Sequence, residues 1–383
     1  MIEIREVKTK KDKKAFVTYP FKLYKDSKYY VPPLRVDEYK IFDSRCDYAD
    51  FTDNCFFLAY KDGELVGRIH GIEQKQYNEI YKTKTIRFTR FDSINDQDVA
   101  NALLDAVVNW GKSKNMDTIV GPLGFSDMER EGLLIEGFDE KQTYAEQYNY
   151  DYYQKLIENY GFVKDVDWLE FNLTKKEDLD PRLFEIGERI MKINNLRLVP
   201  LKGISQSKYY DRYGNKFFEL LDETYKKLYG VVPANPKLVK NMISTFKFFI
   251  PKKYFRVIVD KDDNLVSFAM LMPSFSEALR KSKGRITLPF LIRALKAMKK
   301  PKIVDFMLVG VHPDYANKGI PSVFLKTIYP LFDKGVESFE TNLNLEYNHE
   351  IMNCWKYFNA RQHKRRRCFT KNINENKGDE KSC

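Results

Sequence analysis

The sequence predicts an α+β chain of two tandem domains, each a mixed, mostly antiparallel sheet flanked by helices. Three observations carry this. At 383 residues the chain exceeds the usual size of a single core. It is 43% hydrophobic and 15% aromatic, enough apolar surface for packed interiors, and strand-like and helix-like segments alternate along it. The order of those segments in the first half then recurs in the second.

The first half opens with strand-like Ile2-Glu-Ile-Arg-Glu-Val7 and a helix over residues 11–24. Tyr29-Tyr-Val-Pro-Pro-Leu-Arg35 is extended, because each proline disfavours helix in the residue before it. Residues 55–60 and 65–71 alternate around Asp62-Gly63 and predict a hairpin. A strand over 85–91, a helix over 96–114 and a strand over 118–122 follow. Residues 121–139 form a glycine-rich loop carrying Asp127, Glu129, Glu131 and Glu136. A helix over 152–160 stops at Gly161, and a strand over 166–173 closes the half.

The second half repeats the order: a strand over 196–201, helices over 216–228 and 236–249, and a hairpin of 254–260 with 265–273. Leu65-Val66 corresponds to Leu265-Val266, a shift of 265 − 65 = 200, and Gly161 to Asn359, a shift of 359 − 161 = 198. So constant a shift predicts duplication, against the plainer alternative of two α+β domains alike by coincidence. The expected domains are residues 1–175 and 183–372, divided at Thr174-Lys-Lys-Glu-Asp-Leu-Asp-Pro181, with a polar, disordered tail over 373–383.

Composition narrows the function. The net charge of +11 suits a polyanion, and coenzyme A, nucleic acid and anionic lipid all qualify. Cys46, Cys55, Cys354, Cys368 and Cys383 form no CxxC pair, and His70, His312, His349 and His363 are scattered, so no metal site or disulfide framework is expected. No apolar run approaches the roughly 20 residues of a membrane helix, and Met-Ile-Glu-Ile-Arg is not a signal peptide. A cytoplasmic chain without stable membrane insertion is expected.

Chemistry concentrates in Asp305-Phe-Met-Leu-Val-Gly-Val-His-Pro-Asp-Tyr-Ala-Asn-Lys-Gly-Ile-Pro-Ser-Val-Phe-Leu325. Its start is a buried-strand pattern, Pro313 and Gly319 bracket a tight loop, and Val323, Phe324 and Ile328 fall at helical spacing. Free N–H groups in such a turn, backed by the helix dipole, can hold a pyrophosphate, and Gly319 lets the backbone come close. A plain strand-to-helix turn would read much the same. The matching place in the first half, Phe91-Asp-Ser-Ile-Asn-Asp-Gln-Asp98, has three carboxylates and no glycine, which suits a helix cap and repels a pyrophosphate.

Val311-His-Pro-Asp-Tyr-Ala-Asn-Lys-Gly319 resembles the strand-four-to-helix-three junction of the GNAT (GCN5-related N-acetyltransferase) fold, where a Gln/Arg-x-x-Gly-x-Gly/Ala loop binds the pyrophosphate of acyl-coenzyme A. Ala316 stands where that family has Gln or Arg, and Pro321 where it has Gly or Ala, so one N–H donor is absent. Tyr153-Gln-Lys-Leu-Ile-Glu-Asn-Tyr-Gly-Phe162 is similar to the family's helix four and Gly-Phe turn. Tyr30-Val-Pro-Pro-Leu-Arg35, Val66-Gly-Arg-Ile69, Gly121-Pro122 with Gly132-Leu-Leu-Ile-Glu-Gly-Phe-Asp139, and Asn149-Tyr-Asp-Tyr-Tyr153 together resemble a bacterial group of tandem GNAT-like proteins. Both halves are covered, and the first reads as a degenerate partner for the coenzyme.

The resemblance implies a donor site of Leu308, Val309, Val311, Asn317, Lys318, Gly319, Ile320 and Ser322, with the Leu308 and Val309 N–H groups near the thioester carbonyl. It implies Asp305 as general base for the attacking amine, although a solvent-facing strand start or a pair with Lys302 would also account for an acid there. Where the family has a general-acid Tyr in helix four this chain has Trp355, leaving Tyr357 and Tyr347 as substitutes that could equally be packing. The activity implied is N-acyl transfer from acetyl- or acyl-CoA to a small-molecule or peptide amine. Asp127, Glu129, Glu131 and Glu136 would border the acceptor and favour a cation, or would cap a helix.

Two basic stretches remain. Residues 288–300 are amphipathic, with Leu288, Leu291, Leu295 and Met298 on one stripe, which most simply packs on the core but also suits a lid or a membrane-surface helix. His363-Lys-Arg-Arg-Arg367 falls in the last strand, where alternating arginines face water, and without neighbouring stacking positions it argues against nucleic acid. Two rivals stay open: a GNAT-fold binding or regulatory protein without catalysis, and an aminoacyl or peptidyl transferase using a carrier RNA. The oligomeric state is open.

Overall fold

A computed structural model describes residues 1–374. The chain forms two compact units. Of the described residues, the first holds 1–169, 279–287 and 364–374, and the second holds 170–278 and 288–363. Of the expected tail, all but residues 373 and 374 lies outside the described residues.

In the first unit, β1 (Ile2–Glu6) leads to α1 (Lys10–Leu23) and α2 (Arg35–Lys40). Thr9 and Asp12 close a reciprocal capping box at the start of α1, satisfying two donors that the first turn would leave open. Then come β2 (Thr52–Lys61), β3 (Glu64–Gln74), α3 (Lys75–Tyr81), β4 (Thr85–Ser93), α4 (Gln97–Ser113), β5 (Thr118–Gly121), β6 (Leu133–Glu136), α5 (Tyr152–Asn159) and β7 (Val163–Thr174), of which residues from Glu170 on belong to the second unit. Asp62 and Gly63 both have positive φ, the turn that an Asp-Gly hairpin requires. Helix α4 buries Val99, Leu103, Leu104 and Val107 on β3, whose Gly71 permits the approach: a Cβ there would sit 2.9 Å from Val107 Cγ1.

The second unit runs through α6 (Arg182–Ile193), β8 (Arg197–Leu198), α7 (Gln206–Tyr225), α8 (Pro236–Phe249), β9 (Phe255–Val259), β10 (Leu265–Pro273), the start of α9 (Ser276–Ser282), which passes into the first unit at Leu279, then α10 (Leu288–Lys299), β11 (Ile303–Val311), α11 (Leu325–Asp333), β12 (Ser338–Thr341), β13 (Asn344–Leu345), α12 (His349–Cys354) and β14 (Asn359–Asn372), which passes into the first unit at Lys364. Asn235 caps α8, its side chain accepting from Leu238 N at 2.9 Å, with Pro236 at the first helical position where its missing N–H costs nothing.

The sheet of the first unit runs β1-β2-β3-β4-β5-β14, antiparallel except for β4 with β5, and β6 also pairs with β14. That of the second runs β8-β9-β10-β11-β12, antiparallel except for β11 with β12, and the end of β7 pairs with β12 through Phe339 and Leu173. Both are the α+β architecture expected.

Several expectations need correction. The shift between halves is 200 at the third strand but 303 − 85 = 218 at the fourth, and 349 − 152 = 197 at the last helix. Helices α9 and α10 lengthen the second half of the sequence after its third strand, and the long stretch between β5 and α5 lengthens the first half, so two insertions cancel. Within the supposed loop 121–139, Leu133–Glu136 forms a strand because it finds a partner in β14. Strand β8 has two residues, and α7 begins at Gln206, ten residues before the apolar pattern suggested. Finally, α10 buries Phe290 and Ala294 while Leu288, Leu291 and Leu295 are exposed, the reverse of the stripe expected inside.

Candidate functional site

Strand β11 pairs with β10 along most of its length but with β12 only from Ile303↔Ser338 to Phe306↔Thr341. Beyond Phe306 the parallel partner is gone, and Asn342 N donating to Phe306 O at 3.0 Å is the closing bond. Met270 faces Leu308 and Leu271 faces Phe306, which leaves Met307 as an extra residue, a β-bulge at the point of parting. Leu308, Val309 and Val311 all lie on the stretch beyond the bulge, with one side of the backbone released from β12.

The turn that follows holds a 3-10 segment, Pro313–Tyr315, a second, Ile320–Phe324, and then α11. Asn317 (φ 59°) and Gly319 (φ 71°) are left-handed. The N–H groups of Tyr315, Ala316, Lys318 and Ser322 donate to carbonyls within the turn, whereas those of Asn317, Gly319 and Ile320 have no partner among the described residues. Asn317, Lys318 and Gly319 are exposed, so donors are available for an anion. The side chains are partly committed: Ser322 Oγ donates to Gly319 O at 2.8 Å, and Lys318 Nζ lies 4.6 Å from the Tyr315 ring centre. Helix α6 backs the turn closely, since a Cβ at Gly187 would stand 3.2 Å from Val323 Cα.

Asp305 is 3% exposed, and Lys302 pairs with Glu337 instead. A solvent-facing strand start therefore does not describe it. In register, Asp305 lies opposite Met272 on one side and Glu340 on the other, and Glu340 lies opposite Asn172. Residues opposite one another across a sheet share a face, so Asp305, Glu340 and Asn172 form a polar row. Asn172 Nδ2 donates to Glu340 Oε1 at 2.7 Å, and His363 Nε2 lies 2.9 Å from Glu340 Oε2, with the His363 side chain buried. Sequence reasoning missed Glu340 and His363, which are far apart in the chain and carry no motif.

Tyr357 sits in the 3-10 turn after α12, its hydroxyl shifted toward the neutral form by burial and then by Cys354. Its carbonyl accepts from Tyr329 Oη at 2.5 Å. Trp355 is buried with its ring 5.2 Å from Phe306, the residue next to Asp305.

The first unit parts at the same place and is filled differently. Strands β4 and β5 pair only from Thr85↔Thr118 to Arg87↔Val120, and β4 bulges between Thr89 and Asp92, where Arg90 has φ 47°. Arg90 Nε donates to Glu38 Oε2 at 3.1 Å and its Nη1 lies 3.8 Å from Glu129 Oε2. Arg68 Nε donates to Asp92 Oδ2 at 2.7 Å, while Tyr24 Oη donates to Asp92 Oδ1 at 2.8 Å and lies 2.9 Å from Tyr153 Oη. Burial alone would raise the Glu38 carboxyl, but Arg90, then Arg68 and Arg130, hold it at about 2. Burial, then Arg90 and Arg68, keep His70 well below the usual imidazole range.

Of the four acids singled out in the first half, Glu129 faces Arg90, and burial raises its carboxyl despite that cation. Glu131 is buried, and desolvation followed by Asp127 pushes it well above the usual carboxylate range. Asp127 is half-buried, and Glu136, on β6, lies 3.5 Å from Arg365 Nε. Asp96 caps α4, accepting from Asp98 N and Val99 N, and pairs with Lys61. The run His363-Lys-Arg-Arg-Arg367 needs correction: Lys364 and Arg366 are buried on Glu146, and Arg365 and Arg367 reach Asp167, so these cations serve the interior. Among the described residues no cluster could hold a metal ion, and no helix is long and apolar enough to cross a membrane.

Two units, each with a fourth strand that bulges and leaves its parallel neighbour ahead of a helix, define a class: the chain has the tandem GNAT fold. It aligns with a solved "Tandem GNAT protein from the clavulanic acid biosynthesis pathway" at a TM-score of 0.56 and 12% identity, covering 98% of this chain and all of that one. In sequence it is similar to Protein YghO of Escherichia coli (strain K12), 26% identical over 380 residues, 97% of this chain and 95% of that protein. It is also similar to Bacterial ceramide synthase of Caulobacter vibrioides, 24% identical over 318 residues, 81% of this chain and 80% of that protein. No protein-family model matches the chain.

Proposed function

We propose that the protein transfers an acyl group from acyl-CoA to an amine, with the donor bound by the second unit. The observation that carries this is the release of β11 from β12 beyond Phe306, which leaves the β12-facing side of the backbone along Leu308 and Val309 without a strand partner, three residues after the buried acid Asp305. A thioester carbonyl lodged there would be polarised by the N–H on that side. Its pyrophosphate would meet the exposed N–H groups of Asn317 and Gly319, with Lys318 adding charge, Val311 and Ser322 lining the approach and the buried Ile320 behind the turn.

Asp305 would take the proton from the attacking amine as the N–C bond forms and the C–S bond breaks, and Tyr357 or water would return a proton to the departing thiolate. Glu340 and His363 would keep the polar row in place around Asp305. The Caulobacter relative's name supplies an acceptor class: a ceramide is an N-acylated amino alcohol with long chains, so a long-chain amine joins the small-molecule and peptide amines considered.

Calorimetric titration with a series of acyl-CoAs tests the donor site. Micromolar binding lost in Gly319→Glu is expected, and binding indifferent to that substitution would remove the reading. Thiol release on adding long-chain amines tests the chemistry. A second reading, binding without catalysis, is favoured by Trp355 standing buried where the fold commonly offers a tyrosine; it corresponds to acyl-CoA binding with no amine-dependent thiol release.

A further inference from the structure

Helix α10 shows water a face of the wrong kind. It is held by a narrow stripe, Phe290 at 3% and Ala294 at 5% exposure, while Leu288 is 71%, Leu291 40%, Ile292 59% and Leu295 56% exposed. Those four positions follow i, i+3, i+4, i+7 and so occupy one continuous arc of about 100°. A single exposed leucine needs no explanation; four neighbouring aliphatic side chains on one helix form a surface that water disfavours.

Charge identifies what covers it. From Ala278 to Val304 the sequence contains Arg280, Lys281, Lys283, Arg285, Arg293, Lys296, Lys299, Lys300 and Lys302, and no Asp or Glu. On α10 and just after it, Arg293, Lys296, Lys299 and Lys300 are all exposed, and none has a carboxylate partner among the described residues. By helical geometry Arg293, Lys296 and Lys300 project beside the aliphatic arc, and Lys299 lies at its C-terminal end. An apolar arc bordered by unpaired cations is the pattern of a helix lying in a bilayer interface, aliphatic side chains among the acyl chains and ammonium groups at the phosphates. A protein partner or a second copy would have to bring a matching acidic rim. This chain's own excess of cations makes a second copy a poor match.

We infer that the exposed face of α10 docks the protein peripherally on an anionic lipid surface. The inference is independent of the acyltransferase reading. Attachment through one interfacial helix face is reversible and weakened by salt.

The test is co-sedimentation of the full chain with vesicles of phosphatidylcholine alone or with about one-third phosphatidylglycerol, at low and high salt. Binding to the anionic vesicles is expected to exceed that to the neutral ones by on the order of 10-fold and to fall as salt rises. Leu291→Asp with Leu295→Asp, and separately Lys296→Glu with Lys299→Glu, should each lower it by on the order of 10-fold with the melting temperature unchanged, because all four side chains are exposed. Equal binding to both vesicle types, or binding untouched by either pair, overturns the inference. So does a concentration-dependent dimer that the leucine pair converts to monomer, since a second copy would then cover the face.

Discussion

Asp305 and Glu340 stand opposite one another on the parallel strands β11 and β12, and Glu340 in turn accepts from Asn172 and lies 2.9 Å from His363 Nε2. An acid this buried can serve chemistry without binding the donor, which separates two measurements. Asp305→Asn keeps the side chain's size and is expected to leave the acyl-CoA dissociation constant within about threefold while lowering kcat by roughly 10²–10⁴, the usual contribution of a general base. Glu340→Gln, acting through Asp305, should lower kcat less and leave KM for the donor unchanged. Single-turnover thiol release with each variant checks both, and an unaltered rate in Asp305→Asn would reassign the base.

The polar cluster at the β4 bulge predicts an acid-sensitive first unit. The Glu38 carboxyl lies at about 2 in the folded chain against an ordinary value of 4.5. Its folded value is lower, so the unfolded chain binds the proton more tightly, and the stability it confers is present above pH 4.5 and lost as pH falls toward 2. The ceiling on that contribution is about 3 kcal/mol. Glu129, raised by burial, acts in the opposite sense, contributing below its unfolded value and losing it as pH rises through the folded one. Urea unfolding of Glu38→Gln should give lower stability at pH 7 and a shallower fall between pH 4.5 and 2. An acid limb identical to that of the parent chain would show that Glu38 carries no such coupling.

Glu146 holds Lys364 Nζ at 2.8 Å and Arg366 Nη2 at 3.4 Å, and all three side chains are fully buried. The two cations are not equivalent to the acid. Glu146→Gln removes a buried carboxylate from beside two buried cations and should cost about 3–5 kcal/mol, whereas Lys364→Met keeps Glu146 beside Arg366 and should cost less. Denaturant midpoints check the order, and a larger loss in Lys364→Met would refute it.

The same residues explain how far sequence reasoning reached. Elements were legible where they are set locally: Asp62-Gly63 makes the hairpin turn and Asn235-Pro236 starts a helix, whereas the start of α7, ten residues ahead of its apolar pattern, was not. Leu133–Glu136 was not, because its pairing depends on β14, more than 200 residues later in the chain. The donor turn could be placed from Gly319, but its N–H inventory depends on which carbonyls the turn itself consumes. The cluster of Glu38, Arg68, Arg90 and Asp92 left one trace that could have been read: charged residues inside strands whose neighbours are apolar. Lys364 and Arg366 left the same trace and were taken for a water-facing edge, since only the fold reveals that Glu146 lies opposite.

Gly187 and Gly319 meet the same turn from different sides, and their substitutions separate packing from ligand binding. At Gly187 a Cβ would lie 3.2 Å from Val323 Cα and 3.5 Å from its nitrogen, backbone atoms with little room to give. Alanine gains roughly 1 kcal/mol of helix propensity there, which offsets a displacement of a few tenths of an ångström, so Gly187→Ala should be near neutral. Gly187→Leu has no such offset and should cost about 1–3 kcal/mol by overpacking. Gly319 has a positive φ, where asparagine is the best tolerated replacement and alanine costs about 1–2 kcal/mol. If backbone donors hold the pyrophosphate, Gly319→Asn should keep acyl-CoA affinity within about threefold, because it keeps both the conformation and the N–H. Gly319→Val should lose the affinity together with the conformation. Calorimetric titration beside thermal unfolding of the same variants reads both effects, and equal affinity for asparagine and valine would place the pyrophosphate elsewhere.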